Sequence, residues 1–220
     1  MKHKSLKRLR HLAWPLATIR KNRTMKRILS AILILTLISC NSTTKKEKEL
    51  HEKQKGYTFE NFHISENRVG IFSKGMTIAD VYNSIPKEQI KKTVGYGEFA
   101  DDTYDDYEIY DSNGKKILIL TPKQNGNTNS TINRISILDS RFKTTEKIGL
   151  NSTFGILNKH YSTDKISPDM EHIVIDISHI NAWFSIKKSE LHEGWWNGNG
   201  VDKSKIPGNA KLEGITIWWK

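Results

Sequence analysis

The sequence predicts an α+β fold built as two related halves, each a short helix followed by antiparallel strands. Three observations carry this. Ile78, Val81 and Ile85 recur at i, i+3 and i+7, and Phe154, Leu157 and Tyr161 repeat that spacing, so each half holds one helix with an apolar face. Glycine-bearing turns, Lys74-Gly75 and Gly149-Leu150-Asn151, precede the two helices. Three strand-like runs follow each helix, and an element order that occurs twice is the mark of an internal repeat.

The chain begins with an export signal. Lys26 and Arg27 form a positive flank, and Ile28–Ile38 is an almost unbroken run of Ile and Leu. That run is too short to span a bilayer core, which takes ~20 apolar residues, and it matches a secretory h-region. It ends at Leu37-Ile38-Ser39-Cys40, which resembles the bacterial lipoprotein box. The resemblance implies a diacylglyceryl group on the Cys40 sulfur and cleavage before that residue. The alternative is an ordinary export signal that contains a cysteine. Met1–Thr24 is basic and acid-free, and Met25 followed by Lys26-Arg27 suffices as a start, so residues 1–24 read as an over-extended reading frame. Cys40 is the only cysteine, which excludes intramolecular disulfides and cysteine-rich metal sites.

Removing residues 1–39 changes the charge. The chain holds 35 Lys+Arg against 24 Asp+Glu, but ten of the bases and none of the acids lie in 1–39, leaving 25 against 24. The electrostatic footprint of a nucleic-acid partner disappears with them. Residues 40–56 carry the lipidated cysteine and a polar, mixed-charge tether that cannot bury a core. The first repeat is assigned to 57–140 and the second to 141–220, as one domain or two.

In the first repeat, Arg68–Phe72 reads as a short strand. Thr77 with Asp80 three residues on forms a capping box, and Pro86 ends the helix near Ile85. Tyr107–Tyr110 and Lys116–Thr121 flank the hairpin turn Asp111-Ser112-Asn113-Gly114. Lys123–Thr131 is a loop without apolar anchors, and Ile132–Leu138 alternates as a half-buried strand. In the second repeat, Arg141–Ile148 reads as a strand. Phe154–Tyr161 is the helix, weakened by Gly155. His172–Ser178, Ala182–Lys187 and Leu212–Trp219 are strands, with the glycine-rich loop Glu190–Lys211 before the last.

Gly75-Met76-Thr77 followed by an apolar helix and antiparallel strands resembles the small lipoprotein family that includes BamE (SmpA/OmlA-like). The tandem form, with Arg141-Phe142-Lys143-Thr144 and Gly149–Thr153 opening the second unit, resembles lipoproteins with a β-lactamase-inhibitor-protein-like arrangement. The resemblance covers about Arg68–Trp219 and implies an α+β module that binds other proteins or supports envelope assembly. Its motifs are structural, so it implies no catalytic residue.

No reaction centre is legible in the spacing. The acids Asp101, Asp102, Asp105, Asp106 and Glu108 lack the spacing of a calcium loop. His160, His172, His179 and His192 lack zinc spacing, and Ser152 and Ser185 lie in no nucleophile elbow. The aromatic pairs are the candidate binding residues. Trp195-Trp196 sit among glycines, and Trp218-Trp219 on a strand put one indole inward and one outward. These readings lead to a lipid-anchored, non-enzymatic, protein-binding or scaffolding module with no metal or cofactor, facing the periplasm on the outer membrane. It would hold the membrane through Cys40 and bind an envelope protein. A glycan- or peptidoglycan-binding lipoprotein is the alternative, and an envelope hydrolase stands third.

Overall fold

The computed structural model describes residues 56–97 and 103–220; Cys40, the export signal and most of the tether lie outside them. Strand-forming sequence dominates the described chain. β1 (His63–Ser65), β2 (Arg68–Val69) and β3 (Phe72–Ser73) are short antiparallel pieces, so the predicted strand Arg68–Phe72 is a tight hairpin. Its turn needs Gly70, whose φ is +57° and where a Cβ would lie 2.9 Å from the Asn61 carbonyl oxygen.

α1 (Ile78–Ser84) starts on the predicted capping box: the Thr77 hydroxyl accepts from the Asp80 N–H at 3.1 Å, and the Thr77 N–H donates to the Asp80 carboxylate at 2.9 Å. Ile85, ahead of Pro86, is already extended, as pre-proline sterics require. Then come β4 (Ile90–Tyr96), β5 (Thr103–Tyr110), β6 (Lys116–Pro122) and β7 (Ile132–Ile137). β8 (Lys143–Thr144) and α2 (Phe154–His160) lead to β9 (Lys165–Pro168), β10 (His172–Ile177), β11 (Ala182–Lys187) and β12 (Gly214–Trp218).

The helix-plus-sheet fold class is overturned. The described chain is mostly β: an eight-stranded antiparallel sheet ordered β4-β5-β6-β7-β12-β11-β10-β9, a four-stranded sheet ordered β3-β2-β1-β8, and two helices of seven residues each. This is not the BamE-like arrangement. Two segments not assigned to strands, Ile90–Tyr96 and Lys165–Pro168, form the edges of the large sheet. Arg141–Ile148, read as a strand, contributes only the two residues of β8, which pair in parallel with β1. Edge strands need bury only part of one face, so their apolar alternation is weak. Both helices stop after two turns because the chain turns extended at Ile85 and Tyr161.

One face of the large sheet is the core. Tyr107, Ile109, Leu118, Leu120, Ile135, Ile137, Ile173, Ile175, Ile177, Phe184, Ile186, Ile215 and Ile217 are buried together with Ile78, Val81, Ile85, Phe154 and Leu157. Tyr161 is half-buried against that cluster. Backbone bonds fix each helix start to the loop before the last strand of its half. Ile78 and Ala79 N–H donate to the Ser130 and Thr128 carbonyls, while Phe154 and Gly155 N–H donate to the Ala210 and Gly208 carbonyls. The loop Lys123–Thr131 is therefore anchored by its backbone, not by apolar side chains.

Candidate functional site

Period-two alternation sends the other side chains of the large sheet to its second face, where most of them stay partly or fully exposed. Cross-strand register lines up Lys91, Glu108, Ile119, Ser136, Thr216, Trp183, Asp176 and Lys165 across all eight strands. A second row holds Thr93, Asp106, Thr121, Arg134 and Trp218.

Planar groups stack on this face. The Arg134 guanidinium lies 4.3 Å from the Tyr104 ring centroid and 5.6 Å from that of Trp218, whose ring is in turn 4.9 Å from Trp183. Three supports hold the stack. Arg134 donates to the Thr121 hydroxyl from Nε at 3.2 Å and Nη2 at 3.1 Å, and lies 3.6 Å from Asp106. The Tyr104 hydroxyl donates to the Tyr96 carbonyl at 2.7 Å. Gly95 lets the Tyr104 ring lie flat, since a Cβ there would come within 2.0 Å of it. Trp218 Nε1 is buried without a hydrogen-bond partner among the described residues, so ring contacts alone position that indole.

The acids of β5 are paired rather than gathered. Asp105 lies 2.8 Å from Lys92 and Glu108 2.6 Å from Lys116. The hydrogen bond from Lys92 holds the Asp105 carboxyl below its ordinary value, and that from Lys116 does the same for Glu108. No group of three metal-binding side chains occurs among the described residues. His160 lies 3.4 Å from Glu146 and His172 3.6 Å from Glu213, so these two histidines sit apart in separate pairs.

The four tryptophans singled out from sequence separate. Trp219 is 1% exposed and donates its indole N–H to the Glu66 carbonyl at 3.1 Å, so it is a core residue with no surface to offer. Trp218 faces the open side. Trp195 and Trp196 meet edge-on with centroids 6.1 Å apart, Trp195 half-buried and Trp196 47% exposed. The stack brings Trp218 together with Trp183, Arg134 and Tyr104, none of which sequence reasoning selected. The signal existed in the parity of Ala182–Lys187, where Phe184 points inward and Trp183 therefore outward.

No protein-family model and no curated protein matches the chain. Among solved structures it is similar to the uncharacterized protein yfeY from Escherichia coli, at 14% identity and a TM-score of 0.47, over 71% of this chain and 99% of that one. That likeness carries no argument about function.

On the same face, beside Trp183, lies a pocket of about 540 Å³ lined by residues of β9, β10, β11 and β12 and of the turn between β9 and β10, including Lys165, Asp169, His172, Asp176, Ser185 and Thr216.

Proposed function

We propose that this is a lipid-anchored, non-enzymatic envelope module that binds a partner protein through the open face of its eight-stranded sheet. The lipid would be carried by Cys40, and the polar tether would hold the sheet in the periplasm off the outer membrane. One observation supports the reading above the others: the half-buried Tyr104–Arg134–Trp218 stack on the face of the sheet turned away from the core. Tyr, Trp and Arg are the residues that dominate binding energy at protein interfaces, above all when pre-positioned. Here Gly95, Thr121 and Asp106 hold the stack in place before any partner arrives.

Crosslinking in intact cells followed by affinity capture tests the reading. A specific protein should be captured by the native chain and lost with Arg134→Ala, while Trp195→Ala and Trp196→Ala report whether the second aromatic pair takes part. Equal capture by native and Arg134→Ala chains would reject the open face as the docking surface. Detergent-phase partitioning of native protein and Cys40→Ser tests the anchor. A native chain that stays in the aqueous phase would remove it.

A further inference from the structure

We propose that the pocket beside Trp183 is a saccharide subsite that takes one pyranose ring of a neutral glycan. This goes beyond the protein-docking reading and does not depend on it. At about 540 Å³ the pocket falls in the range of small-ligand sites, roughly 300–1,000 Å³. Its floor is low because the strands carry small residues there: Gly214, Ser185, Thr216 and Ser167. A Cβ at Gly214 would lie 2.3 Å from the Ser185 hydroxyl, so a larger residue there would displace that hydroxyl and raise the floor. Trp183, 37% exposed and braced by Trp218, forms an apolar wall.

The polar lining decides the class of ligand. Asp169 and Asp176 supply carboxylate acceptors, Lys165 and His172 supply nitrogen groups, and three hydroxyls can both donate and accept. Among the described residues, Asp169 accepts only from the neighbouring Met170 N–H, and Asp176 only a long 3.4 Å contact from the Ser178 hydroxyl. Neither forms an ion pair among the described residues, although Lys165 is directly opposite Asp176 in register. These groups keep hydrogen-bonding capacity for a ligand. Two carboxylates disfavour a phosphate or other anion, and no group of three metal-binding side chains gathers there among the described residues, which disfavours a metal ion. The polar floor disfavours an acyl chain. A sugar ring fits what remains. Its C–H face can cover the indole, and its hydroxyls can donate to the carboxylates in charge-assisted bonds while accepting from Lys165.

Calorimetric titration of the full-length protein in detergent micelles tests the inference, with a tetramer of N-acetylglucosamine and a tetramer of glucose as probes. Co-sedimentation with purified peptidoglycan runs alongside. Saturable binding of either tetramer is expected at about millimolar concentration or below. Trp183→Ala should weaken it by roughly tenfold or more. Asp176→Asn, which keeps the shape, should weaken it severalfold, and it decides the matter if the tryptophan variant melts early. Preference for the N-acetylglucosamine tetramer together with co-sedimentation assigns the wall polymer. Preference for the glucose tetramer assigns a neutral polysaccharide. No saturable heat with either probe and no co-sedimentation overturns the inference, as does undiminished affinity in a Trp183→Ala protein of unchanged melting temperature. The protein-docking reading fails separately, when Arg134→Ala leaves protein capture intact.

Discussion

At the scale of single residues, Asp139 is the most consequential group outside the open face. It is 1% exposed and accepts from Arg141 N at 2.8 Å, from Arg141 Nε at 3.0 Å and from Lys115 Nζ at 2.7 Å. Arg141 also reaches Asp111 at 2.8 Å, tying the β5–β6 turn to the segment between the two halves. Burial opposes ionisation of Asp139, but the bonds from Arg141 and Lys115 outweigh it and hold its carboxyl far below the ordinary value. A carboxyl depressed in the folded state contributes stability that is fully present above its unfolded pKa and lost as pH falls toward the folded one. Stability in urea should therefore be flat near neutrality and decline below about pH 4, the unfolded range for Asp. Asp139→Asn, which leaves Arg141 and Lys115 without this anion, should cost about 3 kcal/mol at pH 7 and flatten the acid decline. An unchanged acid limb in that variant would contradict the assignment.

At the scale of elements, the two helices start differently although they sit in matching places. α1 has a complete capping box, so Thr77→Ala should cost about 1 kcal/mol, read as a lower urea midpoint. α2 has Ile156 where Asp80 stands in α1, and its Thr153 cap accepts from the Ile156 N–H at 3.5 Å. Gly155 looks like a defect by propensity, because Gly→Ala in a helix ordinarily gains roughly 1 kcal/mol. Contact reverses the sign. An alanine Cβ would lie 2.8 Å from the Gly208 carbonyl oxygen, a backbone atom that itself accepts the Gly155 N–H. Gly155→Ala should thus lower the melting temperature, and a rise would show that the 190–213 loop yields easily.

At the scale of the whole molecule, the order of the large sheet is a palindrome about the β7–β12 pair, where Ile135 faces Ile217 and Ile137 faces Ile215. The described residues form one compact unit, with the sheet continuous through the junction. Chains 57–140 and 141–220 made separately would each expose β7 or β12 as an unpaired edge beside an open core. Each alone should therefore show little cooperative unfolding by circular dichroism, and mixing them should restore a transition. Independent cooperative melting of either fragment would make the halves separate domains.

Local chemistry was legible without the fold. The Thr77–Asp80 cap, the stop at Pro86, the Asn113-Gly114 turn and the burial of Ile78, Val81, Phe154 and Leu157 all follow from residues a few positions apart. The inward turn of one indole at Trp218-Trp219 follows from strand parity alone. Strand partners do not. Arg134 stacks on Trp218 because β7 happens to meet β12, and Trp219 reaches the Glu66 carbonyl 153 residues away. The edge strands β4 and β9 were illegible for a related reason: β4 buries only Ile90 and β9 buries no residue fully, so their sequences show little alternation until their neighbours are known. Pattern within a segment is set by local sterics and one-sided burial. The pairing of segments is set by which apolar faces close a common core, and only the tertiary structure decides that.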